Sequence, residues 1–115
     1  MKKLFILLLF LTQFAHAEGV LLESTPKDNA LITAFDNKIS LVFSGNVSER
    51  TPTLVVVDNA GNRVDNKDVK LVLGDRSLLT ATTKSLTAGR YAVRYRVVTE
   101  DGLIVSGITR FEIKP

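Results

Sequence analysis

The sequence predicts an all-β domain, a Greek-key β-sandwich of about seven short strands, and three observations carry that reading. After the first seventeen residues no segment has the apolar i, i+3, i+4, i+7 spacing of an amphipathic helix. Several short segments instead alternate apolar and polar residues with period two, as half-buried strands do. Clusters of Gly, Pro, Asn, Asp and Ser separate them at the spacing of about 8 to 12 residues typical of antiparallel sandwiches.

Taken in order, the chain opens with Lys2 and Lys3, an unbroken apolar run Leu4–Leu11, and the small-residue pattern Ala15-His16-Ala17. These are the three regions of a secretory signal peptide, expected to be cleaved after Ala17. The run is well short of the roughly 20 residues that span a hydrocarbon core, and no Cys follows it to carry a lipid anchor. The domain is therefore expected to be Glu18–Pro115, a single unit without linker or repeat. Val20–Glu23 reads as the first strand, ended by the turn-rich Ser24–Asn29. Ile39, Leu41 and Phe43 form one buried stripe. Leu54–Val57 is a β-rich run closed by Asp58-Asn59-Ala60-Gly61-Asn62, a cluster suited to a hairpin. Val69–Leu73 and Leu78–Thr83 read as strands around Gly74-Asp75. In Tyr91–Val98 the alternation puts Tyr91, Val93, Tyr95 and Val97 on one face and Arg94 and Arg96 on the other, and Ile108–Ile113 is the last strand.

Composition narrows the chemistry. The 115 residues carry 15 Lys and Arg against 12 Asp and Glu, a formal +3, but removing Lys2 and Lys3 leaves +1. Cleavage also removes His16 and Met1, so the mature chain has no His, Cys or Met. Without His or Cys no Ser-His or Cys-His nucleophile pair exists, and no carboxylate spacing singles out an acid–base pair, so the expectation is a protein that is not an enzyme. The nitrogen and sulfur side-chain donors of copper and zinc sites are absent. Asp58, Asp65 and Asp68 lack the alternation and closing Glu of a calcium loop and read as solvated turn carboxylates beside Lys67 and Lys70. Arg90, Arg94, Arg96 and Arg110 would form a basic face if their strands lie together, but no aromatic residues interleave with them as a nucleic-acid stacking surface requires. No nucleic-acid partner is expected, and the chain is expected to be a monomer.

Two segments together resemble a known family. Leu21-Leu-Glu-Ser-Thr-Pro-Lys-Asp-Asn-Ala30 followed by Ile39-Ser-Leu-Val-Phe-Ser44 is similar to the opening of the periplasmic copper-resistance CopC family. Ser85–Gly107, with its Gly89-Arg-Tyr-Ala-Val-Arg-Tyr-Arg-Val-Val98 strand and Asp101-Gly102 turn, and then Phe111-Glu-Ile113, resembles that family's C-terminal half. The resemblance implies an immunoglobulin-like or cupredoxin-like sandwich in the periplasm, copper(II) as the bound ion, and a membrane copper-transport protein or another periplasmic protein as partner. In the family, copper(II) is held by an N-terminal His and by the Asp and His of an Asp-Gly-His turn. Here those positions hold Glu18, Asp101 and Leu103, so both imidazoles are missing. Glu18, through its α-amine, and Asp101 are what remain of a cation site, with Leu103 at the lost ligand position. The Met-rich copper(I) site of some members has no counterpart. Tyr95 stands where the family carries Trp, an exchange that suits a core if the hydroxyl finds a partner. Arg94 and Arg96 are the candidate interaction face should the fold have outlived the metal.

Overall fold

In a computed structural model the described residues are 21–44, 47–48, 52–72 and 77–115. They form eight strands in two four-stranded sheets. β1 (Leu21–Thr25), β3 (Lys38–Phe43), β6 (Ser77–Thr82) and β5 (Lys70–Val72) lie in the order β1-β3-β6-β5. β2 (Ala30–Ile32), β8 (Ile104–Ile113), β7 (Gly89–Val98) and β4 (Thr53–Asp58) lie in the order β2-β8-β7-β4. Neighbours are antiparallel except β2 and β8, which run parallel.

Period two fills the space between the sheets. Ile39, Leu41 and Phe43 of β3, Leu54 and Val56 of β4, Leu79 and Ala81 of β6, Tyr91, Val93 and Val97 of β7, and Phe111 and Ile113 of β8 are all buried. Each large aliphatic side chain so buried contributes about 1.5 to 3 kcal/mol. An aromatic stack runs through one end: Phe111 lies between Phe35, 5.3 Å away, and Tyr91, 5.5 Å away. The Tyr91 hydroxyl donates to the Thr87 carbonyl at 2.6 Å, which satisfies its polar tip in the manner of a tyrosine corner. Tyr95 packs edge-on against Phe43 with ring centroids 5.5 Å apart. Its ring lies across Gly107, where an added Cβ would stand 2.4 Å from the phenol oxygen, so a side chain there would have to push the tyrosine ring aside.

β4, β6 and β7 differ from expectation by one or two residues at their ends, and the larger differences fall in four places. β1 continues through Ser24 and Thr25 instead of ending at Glu23. β2 is an additional strand that polarity hides: Asn29 donates its amide to the Arg110 carbonyl at 2.6 Å and the Asp28 carboxylate accepts the Arg110 amide at 2.9 Å, so the turn docks onto β8 and the next three residues pair with it. β5 begins at Lys70 instead of Val69 and is described as far as Val72, with Leu73 outside the described residues. β8 begins at Ile104, not Ile108, because Val98 onward re-pairs through a tight turn and the register holds from Ile104 to Ile113. The signal peptide, Glu18, Val20 and the Gly74-Asp75 turn lie outside the described residues.

The Asp58–Asn62 turn folds the chain back as expected, with Asp58 donating its amide to the Asn62 carbonyl at 2.9 Å and Val57 bridging Arg63. The return lasts only to Asp65, where the chain leaves for the other sheet, and Asp65 is the correction to the solvated-carboxylate expectation. Its side chain is buried, accepts the Val56 amide at 2.9 Å and the Lys67 amide at 3.2 Å, and pairs with Arg63 at 2.9 Å. Its backbone bridges Thr83 at the end of β6. Burial pushes the carboxyl pKa up, but the Arg63 hydrogen bond, the two amides and the Arg63 charge outweigh it and hold the pKa below the ordinary 3.8.

Two expectations follow from this packing. Asp65→Ala leaves the buried Val56 amide without a partner and breaks the pair with Arg63, so urea unfolding at neutral pH is expected to show a loss of about 2 to 3 kcal/mol, with Asp65→Asn losing less. Because the folded-state pKa is depressed, Asp65's contribution is complete above pH 3.8 and disappears as pH falls through the folded value, so the acid limb of the wild-type stability curve should be steeper than that of Asp65→Asn. The Thr109 hydroxyl is buried without a hydrogen-bond partner among the described residues. Thr109→Val, which keeps the branched shape, is expected to be neutral or to stabilise by up to about 1 kcal/mol in the same assay.

Candidate metal centre at the β7–β8 turn

β7 and β8 are the longest strands, paired from Gly89↔Ile113 to Val98↔Ile104, and their connection carries the site residues. Gly102 takes a φ of +87° there, the left-handed conformation that glycine accommodates without a Cβ penalty. The Thr99 amide donates to the Leu103 carbonyl at 2.8 Å and the Gly102 amide to the Thr99 carbonyl at 3.0 Å. The buried Thr99 hydroxyl accepts the Leu103 amide at 3.0 Å and donates to the Asp101 carboxylate through a short contact. One Asp101 oxygen is therefore occupied within the turn, and the residue itself is exposed. This hydroxyl is a site element that sequence reading missed, because nothing in the linear order marks Thr99 as the group that closes the turn.

The donor set does not fit copper(II). Asp101 supplies one carboxylate, Leu103 is 60% exposed and offers only hydrocarbon, and beyond His16 the chain has no imidazole, thiolate or thioether. Copper(II) prefers nitrogen donors in a tetragonal field. Among the described residues no group of three or more His, Cys, Asp or Glu side chains converges on a point where an ion would sit. Glu18 lies outside the described residues.

The other acidic residues are dispersed by the fold. Asp58 turns its carboxylate onto its own loop, accepting the Asn62 amide at 2.9 Å and the Ala60 amide at 3.0 Å; the Asn62 amide is the largest influence holding its pKa below 3.8. Asp68 accepts the Thr82 hydroxyl and, at 2.9 Å, the Thr82 amide, which lower its pKa as well. Three carboxylates within eleven residues thus serve three different places, the Asp58–Asn62 turn, β4 and β6, because the segment crosses between sheets while it carries them.

Arg94 and Arg96 stand on the outer face of the β2-β8-β7-β4 sheet, where period two placed them. The register adds Arg90, opposite Glu112, and Arg110, opposite Ala92. Arg90 meets Glu112 at 3.5 Å. Ile104 and Ile108 share this face and are 60% and 42% exposed; apolar residues at outward positions mimic a core stripe, which hid the first half of β8 from sequence reading.

Comparison with known proteins agrees with this architecture. CopC from Methylosinus trichosporium OB3b is similar with a TM-score of 0.76 and 27% identity, over 84% of this chain and 94% of that one. PcoC, a methionine-rich copper resistance protein from Escherichia coli, is similar with a TM-score of 0.68 and 25% identity, over 85% of this chain and all (100%) of its own. No curated protein sequence matches the chain. The CopC domain matches residues 21–114. An eight-stranded sandwich whose last hairpin turns on Asp101-Gly102, matched from Leu21 to Lys114, belongs to the CopC domain family, whose members are non-enzymatic copper-binding proteins.

Proposed function

We propose that this chain is an exported CopC-family protein, released as Glu18–Pro115, in which copper(II) binding at the family position is weakened or lost. The observation that carries the reading is the exposed Leu103 beside a lone Asp101: the turn keeps its backbone and its carboxylate while the second imidazole is replaced by hydrocarbon. The periplasmic location of the family and the Lys2-Lys3, Leu4–Leu11 and Ala15-His16-Ala17 pattern support export. Glu18, through its α-amine, and Asp101 supply at most a weak and unselective cation site, since an amine and one or two carboxylates give copper(II) a poorer field than imidazoles. A second reading, an interaction module acting on a membrane copper-transport protein or another periplasmic protein, is favoured by the row of arginines on the outer sheet face.

Copper(II) titration by calorimetry of processed protein, its N-terminus confirmed as Glu18 by mass spectrometry, is expected to give no binding at micromolar concentrations and no shift in melting temperature. Tight binding in that assay would sink the proposal. Restoring the donors with Glu18→His and Leu103→His together is expected to create a site. At a copper concentration about 100 times its Kd the ion would stabilise the fold by about 2.7 kcal/mol, a rise of roughly 10 to 20 °C for a domain of this size. No rise in the double variant would show that the two ligand positions are wrongly placed.

A further inference from the structure

The outer face of the β2-β8-β7-β4 sheet combines charge and apolar surface in a way that core packing does not require. Outward positions lie about 7 Å apart along a strand, and diagonal neighbours on adjacent strands are separated by about 7 to 8 Å. Arg96 and Arg94 therefore follow one another on β7, Arg110 is diagonal to Arg94 across the β7–β8 ladder, and Arg90 is diagonal to Arg110. The result is a continuous row of four arginines running along the β7–β8 ladder. Among the described residues only Arg90 has an ion-pair partner on this face, Glu112 at 3.5 Å.

The polarity is lopsided across the molecule. Four arginines face one Glu here, whereas the rest of Glu18–Pro115 holds nine basic and eleven acidic residues. The choice of cation is equally uneven: no outward position of β4, β7 or β8 holds lysine, although the mature chain has six. A merely solvated face has no reason to exclude lysine, while arginine's planar fork binds carboxylates bidentately and is enriched in interfaces where lysine is depleted.

Apolar residues sit inside the row. Val55, Arg94 and Ile108 form one rung across three strands. Leu31, Ile104 and Ile108 account for three of the six large apolar side chains exposed among the described residues, and Leu103 stands at the end of the face. One end opens into a hollow of about 510 Å³ lined by Leu31, Arg90, Arg110, Glu112 and Asp58, whose carboxylate is held by the amides of its own loop. An apolar centre bordered by arginines is the composition of a protein-binding surface.

We infer that this face docks an acidic segment of a partner protein, one whose carboxylates pair with Arg94, Arg96 and Arg110 while an apolar side chain covers Ile108. The inference rests on the interaction reading and names the partner's chemistry. Charge complementarity selects this occupant over the others. A second copy would set one arginine row against another. An anionic bilayer would have to accept the exposed Glu100 and Asp101 at the hairpin tip beside Leu103 and Ile104.

The test uses processed full-length protein and a fluorescein-labelled peptide of sequence Glu-Leu-Asp-Leu-Glu-Leu-Asp, read by anisotropy at low salt. Wild type is expected to bind it, to bind no peptide in which lysine replaces each acid, and to lose affinity in 1 M NaCl, where the Debye length is about 3 Å. Arg94→Glu, Arg96→Glu and Arg110→Glu together should lower affinity at least about tenfold, with an unchanged urea midpoint confirming the fold. Equal affinity of wild type and triple variant overturns the inference. So does binding to vesicles containing phosphatidylglycerol without binding to the peptide, or a dimer in sedimentation that the triple variant abolishes. A photo-crosslinking residue in cells, at Ser106 on this face or at Ser40 on the opposite sheet, separates the two levels. Crosslinking at Ser106 to an acidic segment supports the inference. Crosslinking at Ser40 alone overturns it and leaves the interaction reading standing, and crosslinking at neither position removes both.

Discussion

The buried Asp65 carboxylate is the constraint on which the two-sheet arrangement depends. β4 is the last strand of its sheet, and its outer edge would leave backbone groups facing a crossing segment with no strand to pair them. Asp65 accepts the Val56 amide from that edge, while the Val64 amide donates to the Val56 carbonyl at 2.8 Å. The Asp65 backbone meanwhile bridges Thr83 in the opposite sheet. One residue thus satisfies an edge strand and ties the sheets together. A buried charge is costly unless paired and hydrogen-bonded, and Arg63 with two backbone amides meets both conditions.

With that end secured, the β7–β8 hairpin is a platform held from both sides. Its inner face carries Tyr91, Val93, Val97, Phe111 and Ile113 into the core, and its turn is closed by Thr99. The Thr99 hydroxyl links Leu103 to Asp101, and Gly102 takes the left-handed conformation the turn needs, so the Asp and Gly satisfy backbone geometry and hydrogen bonding in their own right. Scaffold and ligand chemistry are separable here because different atoms serve them.

Much of the architecture was legible before any coordinates. Strict alternation in β3 and β7 assigned the buried stripes correctly, since period two leaves only two faces to choose between. The misses share a cause. Asp28, Asn29, Asp65 and Asp68 look like solvated turn residues because local sequence cannot reveal a backbone amide supplied by a distant strand, such as Arg110 to Asp28, 82 positions away. Ile104 and Ile108 confused the reading of β8 for the opposite reason, as apolar residues that the register turns outward. For the candidate site, the residue types at 101 and 103 were plain, while the role of the Thr99 hydroxyl required the turn's geometry.

By itself the sequence determined the fold class, the resemblance to the CopC family, and the absence of imidazole, thiol and thioether from the mature chain, because periodicity, motif spacing and donor chemistry are properties of the linear order. Only the tertiary structure decided that three neighbouring aspartates serve a turn and two strands of opposite sheets, that Asp65 is a buried tie between sheets, and that four arginines from two strands align in one row. Those are matters of register and crossing, which depend on contacts between residues far apart in the chain.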